Sequence, residues 1–276
     1  MIEGWTWDET LFAGAAPYYE RGRLPYPEGL PQAFAAALGL SGRGRLLDVG
    51  CGPGSVCLRL ATLVAEVVGV DADDGMVAEA RRLAARRDIE NARFVCARAE
   101  ELPPGLGRFQ LVTFAASFHW MDQPKVARTV RNLLTQDGSL VHVSTFEQPR
   151  ADGPMRYPAP PKQAIAALRT RYLGDAPRAG RSTRGAFPDN EDDVFRAAGF
   201  HGPRLVQVPD ERVFERSIDD IVAGTLSMSS SAPHLFAGRL DAFVADLRDL
   251  LVQASPDGLF SVPAQHAELR IWDPAR

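Results

Sequence analysis

The sequence predicts an α/β fold: a doubly wound, mostly parallel sheet carrying a helical cap. Three observations predict it. From Arg45 to Thr145, short apolar runs alternate with segments of helical period. A glycine-rich turn, Gly50-Cys51-Gly52-Pro53-Gly54, joins the first apolar run to the first of those helical segments. Beyond a long helical stretch, the chain closes on an apolar-alternating run from Ala267 to Trp272. Strands separated by helical segments pair in parallel through right-handed crossovers.

The elements run in order along the chain. Pro17 to Pro31 is rich in Pro, Tyr and Arg, and Gln32 to Leu40 reads as a short amphipathic helix. Arg45 to Val49 is the first strand, and Ser55 to Ala65 is expected to be helical. Val67 to Val70 is a second strand ending in Asp71. Asp74 to Arg87 is the clearest helix: Met76, Val77, Ala80, Leu83 and Ala84 recur at helical spacing, with acids first and arginines last. Asp73 or Asp74 suits its N-cap. Strands are expected at Arg93 to Cys96 and Phe109 to Phe114, a helix at Lys125 to Leu134 and a fifth strand at Gly138 to Thr145. Glu147 to Gly185 breaks the rhythm with prolines, glycines and arginines around one helix, Gln163 to Tyr172. Asp192 to Ala198 is a helix stopped by Gly199. Leu205 to Val208 and Val213 to Glu215 read as strand, and Ile218 to Ser229 and Leu235 to Gln253 as helix.

Composition narrows the function. The 276 residues, 45% of them hydrophobic, suffice to bury a sizeable core. A formal net charge of -4 gives no general attraction to phosphate backbones, so nucleic acid is not the expected partner. Cys51, Cys57 and Cys96 form no C-x-x-C pair, so neither a disulfide framework nor a metal site is expected. Met1 to Thr10 lacks the basic start and apolar run of a signal peptide. No apolar run approaches the roughly 20 residues that span a bilayer. The expectation is a cytoplasmic protein with no membrane partner.

The glycine turn narrows the ligand. Glycine lets backbone approach a ligand without a Cβ and supplies positive φ angles. Such turns lie at the carboxyl edge of a parallel sheet, where ligands bind. A phosphate-binding loop needs a lysine after its glycines, and none stands there. A dinucleotide fingerprint needs its third glycine where Ser55 stands. Asp48, two residues before Gly50, suits a cationic ligand better than a pyrophosphate. Asp71 lies 19 residues after Gly52, where an acid can accept both ribose hydroxyls of an adenosine. Alone, Asp71 also fits a nicotinamide dinucleotide; with Asp48 and the loop spacing it favours a nucleoside without phosphates.

These residues carry a resemblance. Leu47-Asp48-Val49-Gly50-Cys51-Gly52-Pro53-Gly54 resembles motif I of the class I S-adenosylmethionine-dependent methyltransferases. Val68-Gly69-Val70-Asp71 with Met76 resembles motif II, and Arg98-Ala99-Glu100-Glu101-Leu102 the segment that edges the adenine. Phe109 to Val112 running into Ala115-Ala116-Ser117-Phe118-His119-Trp120 resembles the type 11 small-molecule branch. The segment from Tyr18 to Pro27 resembles that branch's lead-in, whose arginine clamps the methionine carboxylate; Arg23 holds the matching place, with Leu24 where proline is usual.

The resemblance implies a Rossmann-like, mostly parallel seven-stranded sheet and S-adenosyl-L-methionine as cofactor. It implies cofactor contacts from Tyr19, Arg23, Asp48, Gly50, Cys51, Gly52, Asp71, Ala72, Met76, Ala99, Glu100, Ala115 and Phe118. The expected organisation is residues 1–40 as N-terminal lid helices, 41–146 as the cofactor-binding core and 147–189 as an insertion. Residues 190–276 complete the sheet, with a cap at about 217–255 inserted before the last strand.

Methyl transfer is an in-line displacement that needs an aligned nucleophile and, where that nucleophile carries a proton, a base. His119, just after the fourth strand, is the candidate catalytic base; the alternative is a pocket wall made with Trp120. His234 falls in the cap, His142 within the fifth strand, and His201 and His266 carry little signal. The serines of Leu226 to Ser231 either line the acceptor pocket or end a helix. Arg169, Arg171, Arg178, Arg181 and Arg184 crowd the insertion, where they attract an acidic acceptor or are simply solvated. The expected function is methyl transfer to a small molecule, with natural-product tailoring one setting. The alternatives are a methyltransferase-like protein that binds the cofactor without transfer, as a cyclase or regulator, and a nucleic-acid methyltransferase. The last is disfavoured because Ala115 to Phe118 lacks the N/D/S-P-P-Y/F segment. Monomer and homodimer both stay open.

Overall fold

A computed structural model describes residues 8–147, 155–175, 178–179, 182–183 and 190–275. The chain enters through α1 (Ala16–Gly22) and α2 (Leu30–Leu38). It then builds β1 (Arg45–Val49), α3 (Cys57–Leu60), β2 (Glu66–Asp71), α4 (Asp74–Arg86), β3 (Ala92–Cys96), β4 (Phe109–Ala115), α5 (Gln123–Leu133) and β5 (Leu134–Phe146). Next come α6 (Lys162–Leu173), the short strands β6 (Arg178–Ala179) and β7 (Ser182–Thr183), and α7 (Glu191–Ala197). The last part holds β8 (Phe200–Val208), β9 (Val213–Ser217), α8 (Ile218–Leu226), α9 (Leu240–Ala254), β10 (Leu259–Pro263) and β11 (His266–Pro274).

The main sheet has seven strands in the order β3-β2-β1-β4-β5-β11-β8. The first five pair in parallel; β11 runs antiparallel between β5 and β8. The chain order therefore reverses between β1 and β4, where an open α/β sheet forms its ligand crevice. Near-continuous apolar runs such as Leu46–Val49 and Leu111–Phe114 suit strands covered on both faces. One face packs under α2, α3 and α4 around Phe34, Leu60 and Leu83. The other packs under α5 and α7 around Phe114, Phe118, Val130 and Phe195.

Helix α4 buries Met76, Val77, Ala80, Leu83 and Ala84, and the Asp73 carboxylate caps it by accepting the Met76 N–H at 2.8 Å. The segment after the glycine turn departs from expectation. Turns run through Val56, and only Cys57–Leu60 forms α-helix before a 3₁₀ turn at Ala61–Leu63. Three glycines at positive φ spend the first residues of the segment on loop geometry, which leaves room for one helical turn.

Val213–Glu215 is strand, but it lies outside the main sheet. β9 pairs with β10 in a separate antiparallel ribbon that brackets α8 and α9. Those helices share a third core with α6 around Leu226, Phe236, Phe243, Leu247 and Phe260. Helix α1 docks on α8 so closely that a Cβ on Gly22 would lie 2.4 Å from the Ala223 carbonyl carbon. Among the described residues, no helix is long and apolar enough to cross a membrane.

Candidate active site

The turn after β1 is shaped by hydrogen bonds to β2 and by the space it leaves. Gly50 and Cys51 donate their amides to the Val70 carbonyl at 2.8 and 3.0 Å. Gly50 has φ +69°, and a Cβ there would collide with the Ser117 Cβ at 2.5 Å. Gly52, at φ +54°, has nothing within 4 Å of where its Cβ would stand. That open space is where backbone can meet a ligand. The Gly52 amide donates to Asp71 Oδ2 at 2.7 Å, and the Asp73 amide to Oδ1 at 2.9 Å. Both oxygens of Asp71 are thereby aimed, and each keeps a lone pair. Burial pushes the Asp71 carboxyl upward, and these backbone donors pull it back.

Asp48 lies one layer deeper. The Thr113 hydroxyl donates to its Oδ1 at 2.7 Å, while Oδ2 is buried without a hydrogen-bond partner. Burial pushes this carboxyl up to about 6, against the opposing effects of Thr113 and Cys57. A buried, unbonded carboxylate oxygen fits a cationic group above it.

Over this edge opens a cavity of about 650 Å³. Tyr19, Arg23, Asp48, Gly50, Cys51, Gly52, Asp71, Ala72, Met76, Ala99, Glu100 and Ala115 all lie on its wall. Met76 also packs against Ala15, Ala16 and Tyr19 at the start of α1. Glu100 accepts the Asp122 amide at 2.7 Å, which ties the Ala99–Glu101 turn to the start of α5. Arg23 lies over the Tyr19 ring, 5.0 Å from its centroid, and donates to the Ser227 carbonyl at 3.0 Å; its buried Nε has no hydrogen-bond partner. The residues present thus fit an adenosyl sulfonium: an acid for ribose, a buried acid for a cationic centre and a guanidinium for a carboxylate.

Two of the expected residues do not line the cavity. Phe118 is fully buried, stacked on Phe195 at 4.6 Å and tilted on Phe114 at 4.8 Å, in the core rather than on the cavity wall. His119 is not on the wall either; its ring packs 4.8 Å from Trp120, and Trp120 faces the cavity. The reason is geometric. Phe118–Trp120 is a 3₁₀ turn, in which successive side chains point about 120° apart. Only one of three neighbours can face the ligand.

Sequence reasoning missed several wall residues, including Ser117, Met121, Thr145, Arg216 and Gln265. Ala116, also on the wall, holds a positive φ of +51° that a sequence pattern does not reveal. The cap serines finish α8 instead of lining the cavity: Ser227 bonds the Gly224 carbonyl at 2.8 Å and Ser231 the Thr225 carbonyl at 2.6 Å. His234 contacts the Ala13 carbonyl at 3.0 Å. His142 is buried beside Glu191 at 3.3 Å, and burial lowers its pKa to about 4. Arg169 reaches Ser230 at 3.2 Å and Arg171 pairs with Asp246. Arg181 and Arg184, and the side chain of Arg178, lie outside the described residues.

Comparison with known proteins agrees with this geometry. Residues 46–138 match the family model described as a methyltransferase domain. Malonyl-[acyl-carrier protein] O-methyltransferase of Geobacter sulfurreducens is 33% identical over 195 residues, which cover 66% of this chain and 67% of that protein. YcgJ, an uncharacterized methyltransferase of Bacillus subtilis, is 37% identical over 103 residues; the match spans 37% of this chain but only 41% of that relative's length. Among solved structures, the CcbJ methyltransferase of Streptomyces caelestis superposes with a TM-score of 0.52 at 19% identity, covering 98% of this chain and 100% of that one. The fold, the glycine turn with its paired acids and these matches make the chain a member of the class I methyltransferase family, of the type 11 kind.

Proposed function

We propose that the protein transfers a methyl group from S-adenosyl-L-methionine to a small-molecule acceptor. The observation that carries this reading is the pair of acids at the glycine turn. Asp48 offers a buried oxygen without a hydrogen bond, and Asp71 is held by the Gly52 and Asp73 amides. Asp71 would take the ribose hydroxyls and Arg23 the terminal carboxylate, with Met76 and Ala99 flanking the adenine side. Asp48 would set the negative field beneath the cationic head. The cofactor, when bound, supplies a methyl group on a sulfonium leaving group. The chain's own work is alignment of the acceptor and exclusion of water. Helix α1, wedged between α4 and α8, closes that side of the cavity.

Support for a small acceptor is twofold. The partly open cavity of about 650 Å³ is the size of a small-ligand site, and the net charge of -4 does not favour nucleic acid. The Geobacter relative is named as an O-methyltransferase of malonyl-[acyl-carrier protein], an acyl group on a carrier protein rather than a nucleic acid. Cytoplasmic location and natural-product tailoring go with this reading.

Calorimetric titration with S-adenosylhomocysteine, S-adenosylmethionine and NAD tests it. Binding of both adenosyl ligands and none of NAD is expected. Binding of NAD, or silence with S-adenosylhomocysteine, would overturn the assignment.

A further inference from the structure

We propose that the acceptor is a carboxylic acid, that Arg216 holds its carboxylate in the cavity, and that this carboxylate is the group methylated. The proposal rests on the methyl-transfer reading above and names its substrate class.

Arg216 closes β9, and its side chain is only 10% exposed. Its Nη2 donates to the carbonyls of Arg21 and Gly22 at the end of α1. Its Nε is buried without a hydrogen-bond partner, and the nearest Asp220 oxygen is 3.9 Å away, beyond hydrogen-bond reach. A buried guanidinium with an open donor is matched by a planar oxyanion.

Arg216 lies on the cavity wall, against the end of α1. Asp48, Asp71 and Glu100 rise from the ends of β1, β2 and β3. Arg216 shares the wall with Thr145, near the end of β5, and Gln265, just before β11. Strands β5 and β11 lie on the far side of β4 from β1, β2 and β3.

Proton chemistry points the same way. The chain has five histidines, all among the described residues, and none lies on the cavity wall. The nearby acids are engaged. Asp220 accepts from Arg21 at 2.7 Å and from the Ser217 amide at 2.9 Å; Glu215 pairs with Arg156 at 3.0 Å. A carboxylate, unlike an alcohol, needs no base, and the Arg216 guanidinium is its charge complement. A carboxylate arrives already ionised. One of its oxygens forms the new C–O bond to the methyl carbon while the S–C bond breaks and its electron pair stays on sulfur. Anion and sulfonium become a neutral methyl ester and a neutral thioether, and no proton moves.

The test uses the full chain with methyl-labelled S-adenosylmethionine. It is offered mono- and dicarboxylic acids, matched alcohols and amines, and a total metabolite extract. Alkali releases label from a methyl ester as volatile methanol, but not label on an ether, an amine or carbon. Alkali-labile product from acids is expected. Arg216→Gln should raise the KM for the accepted acid by about tenfold or more, the scale of a lost charged hydrogen bond, and S-adenosylhomocysteine affinity should stay within about twofold. Arg216→Lys keeps the charge but not the fork, and serves if the Gln variant loosens α1; it should also raise KM. Alkali-stable label, no labelled product, or an unchanged KM in both variants overturns the proposal. Loss of S-adenosylhomocysteine binding in both variants places Arg216 on the cofactor and also overturns it. Failure of the unaltered protein to bind S-adenosylhomocysteine would instead sink the methyl-transfer reading.

Discussion

Asp48 carries a carboxyl that burial raises to about 6, and that shift has a sign. An unfolded aspartate titrates near 3.9, so between about pH 4 and 6 the folded chain holds a proton the unfolded chain has lost. Stability contributed by this group is therefore lost as pH rises through that window. Above it, the buried charge is relieved only by a cation. Affinity for S-adenosylmethionine should accordingly rise as pH increases through about 6. Asp48→Asn should flatten that rise, as read by titration on either side of the midpoint. Asp71 acts more directly. Asp71→Ala removes the acceptor for the Gly52 and Asp73 amides and, on the proposed reading, for the ribose. S-adenosylhomocysteine affinity should fall by about 1.5–3 kcal/mol with the circular dichroism unchanged. Unaltered affinity would remove Asp71 from the site.

At the scale of elements, the 3₁₀ turn after β4 decides which aromatic faces the ligand. His119→Ala should keep kcat/KM within about threefold of the parent at every pH, because a residue off the wall contributes no proton transfer. Trp120→Ala should lower it, since that ring is on the wall. A large, pH-dependent loss in His119→Ala would restore it as a base. The lid offers a second test. Helix α1 is held to α8 by the Gly22 contact and by Arg21, and to α4 by Glu20, which pairs with Arg86 and Arg87. The ion pairs are exposed, worth about 0–1 kcal/mol each; the close backbone packing matters more. Gly22→Val should destabilise by about 1–3 kcal/mol through overpacking and speed ligand dissociation, read by thermal melting and stopped flow.

Across the described residues, the three larger of four hydrophobic cores divide the labour. Two cover the faces of the sheet and hold the strand ends that carry Asp48, Asp71 and Glu100. The third belongs to the cap. Leu247 is fully buried there, so Leu247→Ala should cost about 2–5 kcal/mol. Hydrogen exchange should show the loss first in α8 and α9, with the sheet still protected.

The sheet and the glycine-turn side of the cavity were legible because they are local. A strand ending in Asp48-Val49-Gly50, a second ending in Asp71 and the helical period of Met76 to Ala84 are each written in a few consecutive residues. Parallel pairing then has few topologies to choose from. The rest of the cavity wall was not legible. Arg216, Thr145 and Gln265 line one cavity although β9 leaves the sheet to pair with β10 while β11 returns beside β5. Likewise no pattern separates Phe118, His119 and Trp120; a single turn of backbone sends one to the core and one to the cavity. The sequence by itself determined the fold class and the glycine turn at the sheet edge, since backbone geometry and period are local. Which distant side chains share the cavity wall was decided only by tertiary packing, since those segments are brought together through the cores between them.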